Sequence, residues 1–414
     1  MAEEGKMDGK ESQFQANSAN KATTVILIML CLSFQAVALG GIALFLPLLR
    51  RDLALTFTQC ASLSALPTIV YALMQIPSGY LADRYGLKKI FFPGVLGTTI
   101  LCFIFGLISK YWHAILNQIL SGFFRSFLFA AGLALLTSWF SPQRRATAMG
   151  LSVVSIFSGY LFMNLVGPSL EEHFNWRYPF IIFAIAGVLS AFAFHLFGRE
   201  SPNVESKKIN LKDVFKLFRY RFMWGCAIIQ YVRLGVTSGI AFWLPSFLVD
   251  EKGLSLQLTG FIIALRYFLA ALSNIMGGYV SDKLKKPTFV IAFSLMVLAI
   301  TTALIVRVQG MALLMVLIII NSMFIQAYFG PLFSVPVEKY GIHMTGTLTG
   351  FGNFFANLGG FSFVYLMGAL KDKTGYFHSG FLGSAFACVV AFVFTICLEH
   401  MRRGGEDSIE EYSD

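Results

Sequence analysis

The chain of 414 residues is 56% hydrophobic and only 13% charged, with a mean hydropathy of +0.69 and a formal net charge of +10. Apolar content that high excludes a water-soluble domain. The basic balance does not mark a nucleic-acid partner, because the cations sit in short stretches between apolar runs, where they read as topology signals.

Residues 1–21 are polar, mixed in charge and without apolar periodicity, which predicts a flexible tail. No leader-peptide pattern of charged start, short apolar run and small-residue cleavage site precedes the first apolar run. Runs long enough to span a hydrocarbon core of roughly 30 Å follow. They lie at about 22–49, 57–81, 90–109, 114–139, 146–167, 178–197, 222–248, 256–280, 288–306, 311–334, 347–369 and 378–399. The expected architecture is an all-α membrane protein with twelve transmembrane helices in two pseudo-symmetric six-helix bundles, 22–197 and 222–400. A linker at 198–221 joins them and a tail follows at 401–414. With both tails in the cytoplasm, most Lys and Arg fall on that side, the bias of the positive-inside rule. Within the linker, Asn210 to Phe218 reads either as a short amphipathic helix on the inner leaflet or as a solvated connector.

Between the second and third runs stands a compact polar stretch, Gly79-Tyr80-Leu81-Ala82-Asp83-Arg84-Tyr85-Gly86-Leu87-Lys88-Lys89. Gly79 is expected to let backbones approach closely. A weaker copy, Gly278 to Lys286, keeps Gly278 and Asp282 between the eighth and ninth runs, so the chain reads as two similar halves. Asp83 suits the positive N-terminal end of a facing helix, while Arg84, Lys88 and Lys89 suit lipid phosphates or helix C-termini. Gly79, Asp83, Arg84, Gly86, Lys88, Gly278 and Asp282 are therefore assigned to gating. A plain topology signal would account for the cations but not for the Gly and Asp spacing.

The pattern G-x-L-x-D-R-x-G-x-K-K resembles the signature loop of the major facilitator superfamily, as does its recurrence in the second half. The resemblance covers the whole chain and implies transport by alternating access between two bundles.

All Asp and Glu residues lie in tails, loops or the ends of runs, whereas Arg125, Arg233 and Arg266 lie deep inside the fourth, seventh and eighth runs. Each costs at least ~2.5–3.5 kcal/mol at mid-bilayer, so they should face a watery cavity. Two such charges ~9 Å apart repel by ~2 kcal/mol at an effective dielectric near ~20, and an anion between them would relieve that repulsion. Donation to helix carbonyls or support of a gate is the other use of such a residue. Gln35, Tyr71, Gln230, Tyr231, Tyr267, Asn321, Asn353 and Asn357 complete the expected substrate site, with Gln75 and Gln326 at similar depth. Interhelical hydrogen bonding is the competing role of these neutral groups. The glycines at 346, 350, 352, 359 and 360 predict close packing of the eleventh helix.

In the fourth run, Gln118, Gly122 and Arg125 stand where many superfamily members have R-x-x-x-G and organic-anion symporters extend it to an acid. Arg replaces the acid, which separates this chain from that proton-coupling device. Trp139 to Ala146 and Asn175-Trp176-Arg177 are similar to general superfamily features. A cationic cavity without acids looks more like the oxalate:formate exchangers and monocarboxylate carriers, which pair an Arg in helix 8 with a Lys in helix 11. Arg266 matches the Arg; no Lys occurs inside the eleventh helix.

The six cysteines lie in or beside apolar runs without ligand spacing, and no nucleophile, metal cluster or phosphate loop points to an enzyme or a cofactor. The expected function is transport of a small organic anion, a mono- or dicarboxylate or sugar acid, by symport or antiport. Inorganic anions belong to the same class. The alternatives are a proton-coupled exporter of hydrophobic compounds, prompted by 43 Phe and 15 Met, and a non-transporting sensor. The expected setting is a bacterial inner membrane, as a monomer with both termini cytoplasmic.

Overall fold

The computed structural model describes residues 4–140, 145–201, 217–340 and 345–403. The helices are α1 (Glu4–Leu44), α2 (Leu46–Asp52), α3 (Phe57–Tyr85), α4 (Leu87–Phe105), α5 (Tyr111–Ser138), α6 (Arg145–His173) and α7 (Arg177–Phe197). They continue as α8 (Arg221–Ser246), α9 (Leu256–Leu284), α10 (Pro287–Arg307), α11 (Met311–Phe324), α12 (Phe329–Tyr340), α13 (Thr345–Thr374) and α14 (His378–Arg403). A π turn, Phe247–Glu251, prolongs α8. No strand occurs among the described residues. Twelve stretches are long and apolar enough to cross a membrane; α8 with its π turn makes the seventh, and α11 with α12 the tenth.

Three local differences from the sequence expectation have physical causes. The chain is helical from Glu4, where a flexible tail is expected. Once the membrane span has nucleated a helix, each further residue needs only propagation, which is cheap for Lys, Glu and Gln. The first apolar run stops at Leu44 and restarts as α2, because Pro47 lacks an N–H and is tolerated only in a first turn. The tenth run is broken over residues 325–328, because the Pro331 ring would clash with the carbonyl of Ala327 in a continuous helix. The segment Asn210 to Phe218 lies outside the described residues, except for its last two positions in the 3-10 turn Leu217–Arg219.

Contacts gather the chain into two compact units, one of Met1–Gly41, Leu73–Ile108 and Leu116–Ser206 and one of Ile42–Ala72, Ser109–Ile115 and Lys207–Asp414. The first is centred on Phe91, Val95, Leu128, Leu135 and Phe194, with the Phe91 and Phe194 rings edge to face at 4.8 Å. Gly94 lets α4 lie directly on the α5 backbone at Leu128. In the second unit Gly359 of α13 packs on the Tyr231 carbonyl of α8, so any Cβ there would collide with backbone. The close packing read from the α13 glycines is thus present at Gly359, while Gly350 faces open space.

Candidate substrate-binding site

In the second unit, α8 and α9 carry two buried arginines, Arg233 and Arg266, each 3% exposed. Neither arginine has an acid near it along its helix: no Asp or Glu occurs between Asp213 and Asp250, or between Glu251 and Asp282. Arg233 is held in place from two sides. Its Nε donates to Gln230 Oε1 at 2.9 Å, and its guanidinium lies 4.9 Å from the centre of the Phe329 ring. Gln230 in turn packs against Gly352 of α13, where a Cβ would approach its amide to 3.4 Å.

Arg266 is different. Its Nε and Nη2 are buried without a hydrogen-bond partner, and its one aromatic neighbour, Tyr267, lies at 5.9 Å. Those two nitrogens form one edge of the guanidinium, the edge that donates two parallel hydrogen bonds to a carboxylate. Unpaired donors inside a protein cost ~1–3 kcal/mol each, a cost that an acceptor at this edge would recover.

The other predicted residues fall into different surroundings. Arg125 and Gln35 belong to the first unit; Arg125 is half-buried, and the Oε1 of buried Gln35 has no partner. Tyr71 is buried in the second unit. Tyr231 spends its ring on Phe363, 5.8 Å away. Asn321 donates to the Thr301 and Thr302 hydroxyls at 3.0 and 3.1 Å, tying α11 to α10. Asn357 donates to the Asn353 carbonyl one turn back at 2.8 Å. These bonds are the interhelical and local uses that compete with a ligand role.

Sequence reasoning missed Tyr328. Its side chain is fully buried at the α11–α12 break, its hydroxyl has no partner, and the next residue, Phe329, carries the ring that lies against Arg233. The visible signal was Pro331, which forces the break and swings Tyr328 out of a regular helical face. At the same break, Ser273 of α9 donates to the Met323 carbonyl, and Gly277 lies against the Ala327 carbonyl.

The signature loop is arranged as follows. Gly86 has φ 99°, a backbone open to glycine, and it starts α4. Lys88 donates its backbone N–H to Glu200 Oε1 at 2.7 Å and its Nζ to the Gly198 carbonyl, at the end of α7, at 2.6 Å. Glu200 is thus the carboxylate seated on the start of α4. Asp83, Arg84 and Asp282 are exposed, and among the described residues no partner holds Asp83 or Asp282. Gly79 departs from the expectation of close approach, since a Cβ there would meet nothing within 4 Å, and a Cβ at Gly278 would likewise meet nothing. In the second copy Gly277, rotated by about 100° around the helix, makes that contact instead.

Twelve helical spans, two of them holding a buried guanidinium, describe an integral membrane protein. The family model for the Major Facilitator Superfamily matches residues 28–364, and the chain belongs to that superfamily of membrane transporters. It is therefore a multi-pass integral membrane protein with a small-molecule substrate. It is 24% identical over 406 residues to a hexuronate transporter of Bacillus subtilis strain 168, covering 92% of this chain and 94% of the relative. It is 22% identical over 415 residues to a D-galactonate transporter of Escherichia coli O6:H1, covering 92% and 96%. Among solved structures, a bacterial homologue of the human lysosomal transporter Spinster, inward-facing and occupied, superposes with a TM-score of 0.74 at 17% identity, covering 92% of this chain and 95% of that one. That likeness is one of fold.

Proposed function

We propose that the protein carries a small organic anion, in the first place a sugar acid, by alternating access. The observation that carries this reading is the unpaired Nε and Nη2 edge of Arg266, buried in a span whose one acid, Asp282, lies at its far end. A carboxylate would satisfy both donors at once and neutralise the charge. Arg233 and Tyr328 serve the same ligand from α8 and the α11–α12 break. Similarity to a hexuronate and a galactonate transporter over nine-tenths of the chain supports a polyhydroxylated carboxylate. Because the spans offer no acid away from their ends to carry a proton, exchange or uniport fits the residues as well as symport. The loops at 79–89 and 278–286 act as gates, the carrier works as a monomer, and both termini face the cytoplasm of a bacterial inner membrane.

Uptake of a labelled hexuronate and of galactonate into proteoliposomes tests the reading. Saturable uptake by the parent protein and none by Arg266→Ala is the expected result. Unchanged uptake kinetics in the variant would overturn the assignment of Arg266. Stabilisation by lipophilic cations alone would favour an exporter.

A further inference from the structure

The second compact unit joins the chain segment Ile42–Ala72 to residues of the later spans, and one side chain holds that junction. Asp372, at the end of α13, accepts the Phe57 N–H on Oδ1 at 2.9 Å. Its Oδ2 accepts the Thr58 N–H at 2.7 Å and the Thr58 hydroxyl at 2.5 Å. The start of α3 is already capped without it. Thr56 and Gln59 form a reciprocal box, with Gln59 N–H on Thr56 Oγ1 at 3.1 Å and Thr56 N–H on Gln59 Oε1 at 2.9 Å. The amides of Phe57 and Thr58 would otherwise be satisfied by water. The distant carboxylate therefore adds nothing that local folding of α3 needs; what it adds is a bond between spans. Asp372 is exposed, so water can replace it when the contact opens.

Its neighbours make the same kind of junction. Arg51 pairs with Asp250 at 3.2 Å, and Arg50 lies 3.9 Å from the same carboxylate and 4.4 Å from the Phe57 ring centre. Lys371 pairs with Glu251 at 2.6 Å. Beneath these charges the Phe57, Trp243 and Phe377 rings close on one another at 5.6 to 5.9 Å. Gly368 lets α13 press on Ala61 and Trp243, and Cys60 below is fully buried. By the count of crossings, the loops after the first, seventh and eleventh spans lie at the end opposite the chain termini. Trp243 stands about 15 Å beyond Arg233 along α8, at 1.5 Å per residue, so the ring cluster lies between Arg233 and that end.

We propose that Asp372 is the latch of the gate at this end, seating on the start of α3 to close it and releasing to admit or discharge substrate; the proposal rests on the transport reading above. The contact suits a reversible closure, because both sides are hydrated when it breaks and no buried group is stranded.

Cys60 reports the state of the latch. In the full chain carrying Cys60 as its sole cysteine, a hydrophilic maleimide labels the purified parent protein slowly. Asp372→Ala raises the labelling rate on the order of tenfold, the usual scale of a lost charged cap. Arg51→Gln, at a side chain 64% exposed and safe for folding, raises it severalfold. Lys373→Gln, an exposed neighbouring charge, leaves it unchanged. Parent-like rates in both Asp372→Ala and Arg51→Gln, or an equal rise in Lys373→Gln, would overturn the latch. Labelling needs no substrate, so a parent that moves no sugar acid removes the transport reading alone. Sugar-acid flux with unchanged labelling in the latch variants removes the latch alone.

Discussion

Arg233 Nε donates to Gln230 Oε1 at 2.9 Å, one turn back on α8, so a neutral amide rather than an acid aims this buried cation. Gln230→Ala removes the aim and leaves the charge. The concentration giving half-maximal transport is expected to rise roughly tenfold, from a lost bond of ~1–3 kcal/mol to a charged group, with the maximal rate nearly unchanged. Initial-rate measurements over a range of substrate concentrations check this, and unaltered kinetics would show that Arg233 needs no positioning.

Arg266 is expected to cost stability. Burying a charge without a partner costs several kcal/mol of lost hydration, so Arg266→Met, an apolar side chain of similar length, should raise the melting temperature of the ligand-free protein. The same variant should lose the stabilisation that ligand confers on the parent by mass action. Thermal unfolding by intrinsic fluorescence, with and without sugar acid, reads both effects. A lowered ligand-free melting temperature would mean that the guanidinium supports the fold.

Tyr328→Phe deletes a hydroxyl that has no partner in the protein. Stability should hold, since no bond is broken, while affinity for the ligand falls about fivefold, the worth of a ~1 kcal/mol hydrogen bond. Equal affinity in isothermal titration would remove Tyr328 from the site.

Two adjacent glycines should respond in opposite ways. Gly277→Ala drives a methyl group into the Ala327 carbonyl and should destabilise by ~1–3 kcal/mol or prevent insertion. Gly278→Ala meets nothing within 4 Å and should be tolerated. Melting temperatures of the two purified variants, or their yields in the membrane, decide it.

Asp83→Asn should slow turnover by roughly tenfold while changing affinity by less than about twofold, because a gate is used in the step between states and not in holding ligand. Comparison of equilibrium binding with maximal flux separates these. Weakened binding at normal turnover would place Asp83 elsewhere in the cycle.

The twelve spans were legible because a membrane span is written in one dimension, as a run of apolar residues of fixed length. Arg233 and Arg266 were legible for the same reason, since a charge inside such a run stands out without any knowledge of packing. What sequence could not give was the neighbour across space. Asn321 looks like a ligand-facing amide until Thr301 and Thr302 appear beside it on another helix. Gly278 and Gly277 look alike in sequence, and only the rotation of α9 against the broken tenth span tells them apart. Nothing in the sequence singles out Asp372 among the acids at the ends of runs, because its partners, Phe57 and Thr58, are 315 and 314 positions away. Pro331 was visible throughout; its meaning required asking which carbonyl lies one turn before it.

The uncompensated guanidinium also has an electrical consequence. A charge that shifts across the whole field of a membrane exchanges ~2.3 kcal/mol with each 100 mV of potential. A monocarboxylate held at Arg266 would cancel one of the two buried charges and leave that of Arg233. The loaded and empty proteins would then differ by one charge, and the membrane potential would bear less on the loaded passage than on the empty return.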